Sequence, residues 1–286
     1  MMRFWKYHGL GNDYLVMPPE DISKELTPAQ IRLICHPHYG IGSDGLLIGP
    51  FDAEEQTFRL RLFNPDGGEF EKSGNGLRIF ARYLWDMGWV QNKPFHILTP
   101  GGKVTAQVFE GGRRVTVEMG QVSFHSSRIP VAGPPREVLQ ESIEVQGREF
   151  RFCAATIGNP HCVILCDDIS RELACSIGPH VETDPRFPNR TNVQFLKVLD
   201  RATIQIEIWE RGVGYTLASG SSSSAAAAVA HKLGLCDSHI TVRMPGGELD
   251  IQIDPDYAIT MTGAVTKICE GQFDNEAFDA LNVIDN

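Results

Sequence analysis

No uninterrupted apolar run in the 286-residue chain approaches the ~18 residues that a membrane span requires. Its first residues, Met1-Met2-Arg3-Phe4-Trp5-Lys6-Tyr7-His8, lack the apolar centre of a signal peptide. The expectation is a soluble, cytoplasmic protein with no membrane partner. Basic charge is also scarce, with 26 Lys and Arg against 36 Asp and Glu and a formal charge of -10. No basic stripe is available to release counterions from a phosphate backbone, so nucleic acid is not an expected partner. The seven cysteines (Cys35, Cys153, Cys162, Cys166, Cys175, Cys236, Cys269) contain no Cys-x-x-Cys pair, which removes zinc ribbons and dithiol redox centres. They read as reduced thiols, mostly buried as small hydrophobes. No Gly-x-Gly-x-x-Gly run follows an expected strand and no Gly-Lys-Ser or Gly-Lys-Thr occurs, so no nucleotide cofactor is expected. His36-Pro37-His38 has no Glu-x-x-His or cysteine ligands beside it, and no metal is expected.

What the chain does contain is an ordinary globular composition, 42% hydrophobic and 22% charged, with length for two domains. It also contains a repeat. Ser73-Gly74-Asn75-Gly76-Leu77-Arg78-Ile79-Phe80-Ala81-Arg82-Tyr83-Leu84 is echoed 146 residues later by Ser219-Gly220-Ser221-Ser222-Ser223-Ser224-Ala225-Ala226-Ala227-Ala228-Val229-Ala230. At nearly the same offset, His8-Gly9-Leu10-Gly11-Asn12-Asp13 is echoed by Thr156-Ile157-Gly158-Asn159-Pro160-His161. In each Ser-Gly copy small polar residues lead into a helix; Leu77, Phe80, Ala81 and Leu84 recur at helical spacing, and the second copy is apolar on every face, as a buried helix is. Alternating segments at 57–63, 103–109, 115–119, 203–209, 241–244 and 248–253, separated by Gly-Gly and Pro-Gly turns, read as strands. The expected fold class is α+β: two pseudo-symmetric domains, each a curved antiparallel sheet or barrel around a central buried helix, with the active-site cleft between them. The Pro- and Gly-rich stretch from about Gln121 to Gly147 is the crossing. It divides the chain into 1–121 and 122–271, with the tail 272–286 a candidate to return to the first domain.

The chemistry concentrates at the two helix starts. Ser73 and Ser219 precede them, and the leading N–H groups of Gly74, Asn75, Gly220 and Ser221 form a candidate carboxylate cradle. A substrate carbon held there would lie between the two serines. A serine before a helix is also an ordinary cap; the duplication favours a shared site. Glu210-Arg211, in a glycine-rich run, offers a carboxylate for an ammonium group and a guanidinium for a carboxylate, or simply a surface ion pair. Asn64, in Phe63-Asn64-Pro65-Asp66-Gly67-Gly68, is a polar candidate at the corresponding place of the first half or a plain turn former. His161 is the histidine best placed for proton chemistry.

At these residues the chain resembles the diaminopimelate epimerase family. The resemblance runs through His8-Gly9-Leu10-Gly11-Asn12-Asp13, Gly40-Ile41-Gly42-Ser43-Asp44-Gly45, Phe63-Asn64-Pro65-Asp66-Gly67, Gly74-Asn75-Gly76-Leu77-Arg78, Gly158-Asn159-Pro160-His161-Cys162, Phe187-Pro188-Asn189-Arg190-Thr191-Asn192-Val193, Glu210-Arg211-Gly212-Val213-Gly214 and Pro245-Gly246-Gly247. It implies a cofactor-independent amino-acid epimerase that inverts one carbon of LL-diaminopimelate to the meso form, a step toward lysine and peptidoglycan. It implies Ser73 and Ser219 as the catalytic pair, with His161 and Glu210 tuning them. Substrate would bind at Asn12, Asn64, Gly74, Asn75, Asn159, Asn192, Glu210, Arg211, Gly220 and Ser221, with a small amino acid as partner and a homodimer left open.

One departure is chemical. In the family both acid/base residues are cysteines, and here both are serines; Tyr215 also replaces a commonly acidic residue, and Ser221–Ser224 is an unusual polar run. A thiol titrates near ~8.5 and a hydroxyl, taken as comparable to bulk water, near ~16, a gap of about 10 kcal/mol. A helix N-terminus offers an anion only about 0.3–2 kcal/mol. Neither serine can be a free alkoxide, so a neighbouring base must take its proton as it acts. The loss of both thiols keeps two other readings open: an isomerase, racemase or dehydratase of another small amino or carboxylic acid, and a non-catalytic ligand-binding homologue.

Overall fold

The computed structural model describes residues 1–51, 53, 54 and 56–281, which divide into two compact units, one made of the described residues up to 117 with 263–281 and the other of 118–262. In the first unit, β1 (Met2–Gly9) and β2 (Asn12–Met17) form a hairpin closed by Leu10 and Gly11. Both turn residues have positive φ, 60° and 88°, the backbone that a two-residue connection needs to match strand twist. The helix α1 (Pro28–Cys35) starts at a reciprocal Thr27–Gln30 cap. After it come β3 (Leu46–Ile48), β4 (Ala53–Glu54), β5 (Thr57–Arg59), β6 (Arg61–Phe63) and β7 (Glu69–Phe70). The repeat helix α2 (Gly74–Asp86) and β8 (Phe95–Thr99), β9 (Gly102–Phe109) and β10 (Arg114–Gln121) complete this part of the chain. The strands form two runs, β1-β2-β3-β6-β7 and β10-β9-β8-β5-β4, and α2 packs on β1, β2 and β9.

The segment 57–63, expected as one strand, is two. Residues 57–59 pair with β8, residues 61–63 pair with β3, and Leu60 N–H donates to Leu98 O at 2.9 Å where the chain changes sheets. Phe58, Leu60 and Leu62 are all buried, so the alternation continues unbroken through the corner and conceals it.

The second unit contains β11 (Glu141–Val145), β12 (Arg148–Thr156), β13 (Pro160–Leu165), α3 (Arg171–Glu182), β14 (Asn192–Asp200), β15 (Thr203–Glu210) and β16 (Gly214–Thr216). The second repeat helix, α4 (Gly220–Lys232), precedes β17 (His239–Met244), β18 (Gly247–Ile253) and β19 (Ala258–Ala264). The sheet order is β11-β12-β13-β14-β15-β17-β18-β19, with β16 alongside β15. α4 packs against β12 to β15, β17 and β18, and Ala225–Ala230 are fully buried, which explains why no polar face was visible in its sequence. α3 buries Ala174, Ile177, Gly178 and Val181. Gly178 admits Trp209, since a Cβ there would lie 2.6 Å from the indole Cγ. A last strand, β20 (Thr266–Phe273), pairs antiparallel with β1 in the first unit.

The fold class is α+β. The sheets are mixed: β2–β3, β5–β8, β13–β14 and β15–β17 are parallel, while pairs such as β1–β2, β8–β9 and β12–β13 are antiparallel. Among the described residues no helix is long and apolar enough to cross a membrane.

Candidate active site

Each unit carries its copy of the Ser-Gly element at the start of its most buried helix. In the first unit Ser73 is the N-cap of α2 and its Oγ accepts from Gly76 N at 3.0 Å. Gly74 and Asn75 precede the first intrahelical bond, and their N–H groups belong to the set that a helix leaves without an intrahelical acceptor. Asn12, at the head of β2, lies against this helix start: Asn75 Nδ2 donates to Asn12 Oδ1 at 2.9 Å, and Asn12 Nδ2 donates to Asp44 Oδ2 at 3.0 Å. Arg78 Nη2 donates to Asn75 Oδ1 at 2.9 Å. Arg78 is fully buried, and that burial brings its guanidinium down to about 10, still cationic at neutral pH. A chain of directed side-chain hydrogen bonds thus runs Arg78–Asn75–Asn12–Asp44. Asp44 also accepts from Asp13 N while Asp13 Oδ1 accepts from Asp44 N, each at 3.0 Å. Loss of solvent raises the Asp44 carboxyl, and the nearby charge of Asp13 adds to the rise. Lys6 pairs with Asp13 at 2.6 Å and helps balance this acidic corner.

Asn64 lies in the exposed turn after β6, where its backbone N–H donates to Gly68 O and its carbonyl accepts from Gly67 N. Tyr14, two residues beyond Asn12, reaches Ser73 directly, with 3.4 Å between the two hydroxyl oxygens. Sequence reasoning did not single out Tyr14 or Asp44. The signal for both was their place in the Gly-Asn-Asp-Tyr and Gly-Ser-Asp-Gly runs.

In the second unit Ser219 is the N-cap of α4, buried, with Oγ accepting from Ser222 N at 3.4 Å. Ser221 Oγ lies 3.5 Å from Ser219 Oγ, Asn159 Nδ2 donates to Ser221 Oγ at 3.4 Å, and His161 Nε2 lies 2.9 Å from Asn159 Oδ1. Among the described residues, His161 connects to Ser219 through two intermediates, Asn159 and Ser221. Its ring is wholly buried, and burial lowers its pKa to about 3, so it is a neutral imidazole that orients Asn159. Ser222, Ser223 and Ser224 of the unusual serine run are buried too: Ser223 and Ser224 donate back to Ser219 O and Gly220 O, each at 2.8 Å, and Ser222 accepts from Gln194 Nε2 at 3.0 Å.

Glu210 ends β15 beside Ser219. Burial raises its carboxyl, while hydrogen bonds from the Ser219 and Thr216 hydroxyls act in the opposite direction. Asn192 is engaged on both sides of its amide: Nδ2 donates to Pro160 O at 2.8 Å, and Oδ1 accepts from Arg211 N at 3.0 Å. It clamps β13 to the turn that follows Glu210. The Arg211 guanidinium is exposed and donates to Asn189 O at 3.1 Å. Under this turn lies Glu182, which no motif or spacing in the chain marked out. Its carboxylate accepts from Trp209 Nε1 at 2.8 Å, Gly212 N at 2.9 Å and Arg190 Nη1 at 3.3 Å.

Chemically, each serine oxygen receives a backbone N–H at the positive end of a helix, which favours electron density on Oγ. Ser219 has beside it a carboxyl whose pKa burial raises, which makes it a stronger proton acceptor than a solvent-exposed carboxylate. Among the described residues no group of three or more His, Cys, Asp or Glu side chains is placed to hold a metal.

The family model for diaminopimelate epimerase matches residues 4–125 and 153–268. The chain is 63% identical over 283 residues to "Diaminopimelate epimerase 2" of Nostoc sp., covering 99% of both chains. It is 39% identical over 278 residues to the diaminopimelate epimerase of Moorella thermoacetica, covering 95% of this chain and 99% of that one. Among solved structures, a probable proline racemase from Agrobacterium radiobacter shares the fold with a TM-score of 0.71 at 16% identity, covering 99% of this chain and 96% of that one. A hydroxyproline epimerase from Agrobacterium vitis does so with a TM-score of 0.66 at 16% identity, covering 96% and 93%.

Proposed function

The chain belongs to the diaminopimelate epimerase family, and on that premise we propose that it interconverts LL- and meso-diaminopimelate by exchanging the proton of one α-carbon, with Ser73 acting on one face and Ser219 on the other. The observation that carries the reading is the 63% identity, over essentially the full length, to a protein named as such an epimerase. The work belongs to the cytoplasm and supplies a precursor of lysine and peptidoglycan. It proceeds with side chains as the only proton carriers and no cofactor. The N–H groups of Gly74, Asn75, Gly220 and Ser221 receive the carboxylate of the reacting carbon, where the helix ends favour negative charge. Arg211 and the asparagines Asn12, Asn64, Asn159 and Asn192 serve recognition of the substrate's polar groups directly or by fixing the loops that do.

The serine at 219 works as a relay. When it removes the α-proton, its own hydroxyl proton passes to Glu210, so no free alkoxide forms. In the reverse direction Ser219 gives its proton to the carbanion and Glu210 restores it. The raised carboxyl pKa of Glu210 suits this transfer, because a buried carboxylate takes the Ser219 proton more readily than an exposed one. Incubation with LL-diaminopimelate in deuterated water tests the reading. Meso product carrying α-deuterium is expected; a stable LL substrate with no deuterium after prolonged incubation refutes it.

A further inference from the structure

We propose that Tyr14 is a further catalytic residue, the proton partner of Ser73 as Glu210 is of Ser219; this rests on the reading that Ser73 exchanges the α-proton. Three observations converge on it. The first is contact: the Tyr14 hydroxyl lies 3.4 Å from Ser73 Oγ, while Gly76 N donates to the same Oγ at 3.0 Å. The serine oxygen thus has a helix N–H on one side and an ionisable hydroxyl on another.

The second is seating. Tyr14 is buried, and its ring lies against Gly45, where a Cβ would come within 2.5 Å of Tyr14 Cε1 and 2.8 Å of Phe63 O. No other residue type fits at 45 without displacing the ring. The segment is pinned further by Leu15 N donating to Gly45 O at 3.1 Å and Ser43 Oγ donating to Gly45 O at 2.8 Å. The glycine-rich run 40–45 therefore fixes where the phenol points.

The third is the internal repeat. Gly11-Asn12-Asp13-Tyr14 and Gly158-Asn159-Pro160-His161 occupy matching places, each leading a strand with an antiparallel neighbour on one side and a parallel one on the other. Tyr14 corresponds to His161. The histidine is separated from its serine by Asn159 and Ser221, whereas the tyrosine touches its serine. The duplicated element has one arm that acts through a carboxyl and one that acts through a phenol.

The chemistry needs such a partner. A phenol titrates near ~10 and an aliphatic hydroxyl, like bulk water, near ~16, so a phenolate replaces a far less stable alkoxide. When Ser73 acts as acid, its hydroxyl proton closes the new C–H bond on the carbanion, the Tyr14 proton refills Ser73 Oγ, and phenolate remains. When Ser73 acts as base, the C–H bond breaks with its electron pair left on carbon, Oγ takes that proton, and the original Ser73 hydroxyl proton moves to the Tyr14 phenolate. No redox partner is required.

Tyr14→Phe removes one oxygen and keeps the ring in its seat. With diaminopimelate in deuterated water it is expected to lower conversion by at least ~100-fold, the lower end of general acid–base contributions. Deuterium still enters the α-position of one diastereomer, because the Ser219–Glu210 arm continues to remove and return a proton on its own face. The penalty of Tyr14→Phe shrinks at least tenfold in a Ser73→Cys background, since a thiol needs no proton partner. Conversion by Tyr14→Phe within threefold of the parent overturns the proposal. So does an equal loss of exchange and conversion, or the same penalty in both backgrounds. Failure of the unaltered protein to exchange or convert either isomer overturns the functional reading itself along with it.

Discussion

Removing the Glu182 carboxylate should weaken substrate binding through the Glu210–Arg211 turn, although Glu182 lies under that turn on the end of α3. Its two strong bonds go to Trp209 Nε1 at 2.8 Å and Gly212 N at 2.9 Å, the residues on either side of the Glu210–Arg211 pair. Hydrogen bonds to a charged acceptor contribute about 1.5–3 kcal/mol each. Arg190 adds little, because its side chain is 60% exposed and such pairs are worth at most ~1 kcal/mol. Glu182→Ala leaves both donors without their acceptor and should cost about 3–5 kcal/mol of unfolding free energy. Glu182→Gln keeps the shape but turns an NH2 toward one N–H donor, and should cost about 2 kcal/mol. Arg190→Ala should fall below about 1 kcal/mol. Because the turn carries Arg211, KM should rise more than kcat falls in both Glu182 variants. Urea unfolding paired with steady-state epimerisation reads both quantities. A Glu182→Ala protein that loses less than ~1 kcal/mol with unchanged KM would show that the turn holds itself and that the carboxylate is incidental.

Replacing both Ser73 and Ser219 with cysteine should raise the rate of α-deuterium incorporation at least tenfold, since a thiol sits about 10 kcal/mol closer to its anion than a hydroxyl; a slower double variant contradicts the relay. A carboxyl raised in the native state binds its proton more tightly when folded, so the stability it contributes is present below its ordinary value of 4.5 and is lost as pH rises through the native value. Glu210→Gln should therefore gain stability over the parent as pH rises above 4.5 while abolishing conversion, and parallel stability curves for the two proteins would argue against a raised carboxyl. Ser224→Ala should change stability by less than about 1 kcal/mol, because the carbonyl it bonds, Gly220 O, belongs to the helix and keeps its backbone partner. A melting shift beyond ~5 °C would assign that hydroxyl a larger part than its geometry indicates.

The sequence was most legible where structure is local. The Ser-Gly starts of α2 and α4, the alanine-filled faces of α4 and the hairpin strands of the second unit all carry their own period or cap within a dozen residues. α3 shows what obscures such a signal. Leu173, Ala174, Ile177 and Val181 have helical spacing, but Gly178 and Pro179 interrupt them like breakers. The glycine is there to make room for Trp209, a requirement set 31 residues away. The site divides the same way. Ser73, Ser219 and the Asn12 and Asn159 elements stood out because they are duplicated. Tyr14 and Glu182 did not: Tyr14 meets Ser73 across 59 residues, and Glu182 meets Trp209 and Gly212 across 27 and 30. The buried serines Ser223 and Ser224 looked polar in sequence because back-bonding to Ser219 O and Gly220 O cannot be read from composition.

The pairing of β20 with β1 joins residues separated by almost the whole chain, Met2 opposite Phe273. On the ribosome, the 118–262 unit is contiguous and can mature as soon as it emerges. The opening hairpin must wait with one flank bare until the final strand arrives. During that interval it offers unsatisfied N–H and C=O groups to any extended segment nearby. Folding yield should therefore depend on the last strand: trimming it, or fusing a bulky tag directly to it, is the change most apt to drive this protein into inclusion bodies while leaving Ser73 and Ser219 untouched.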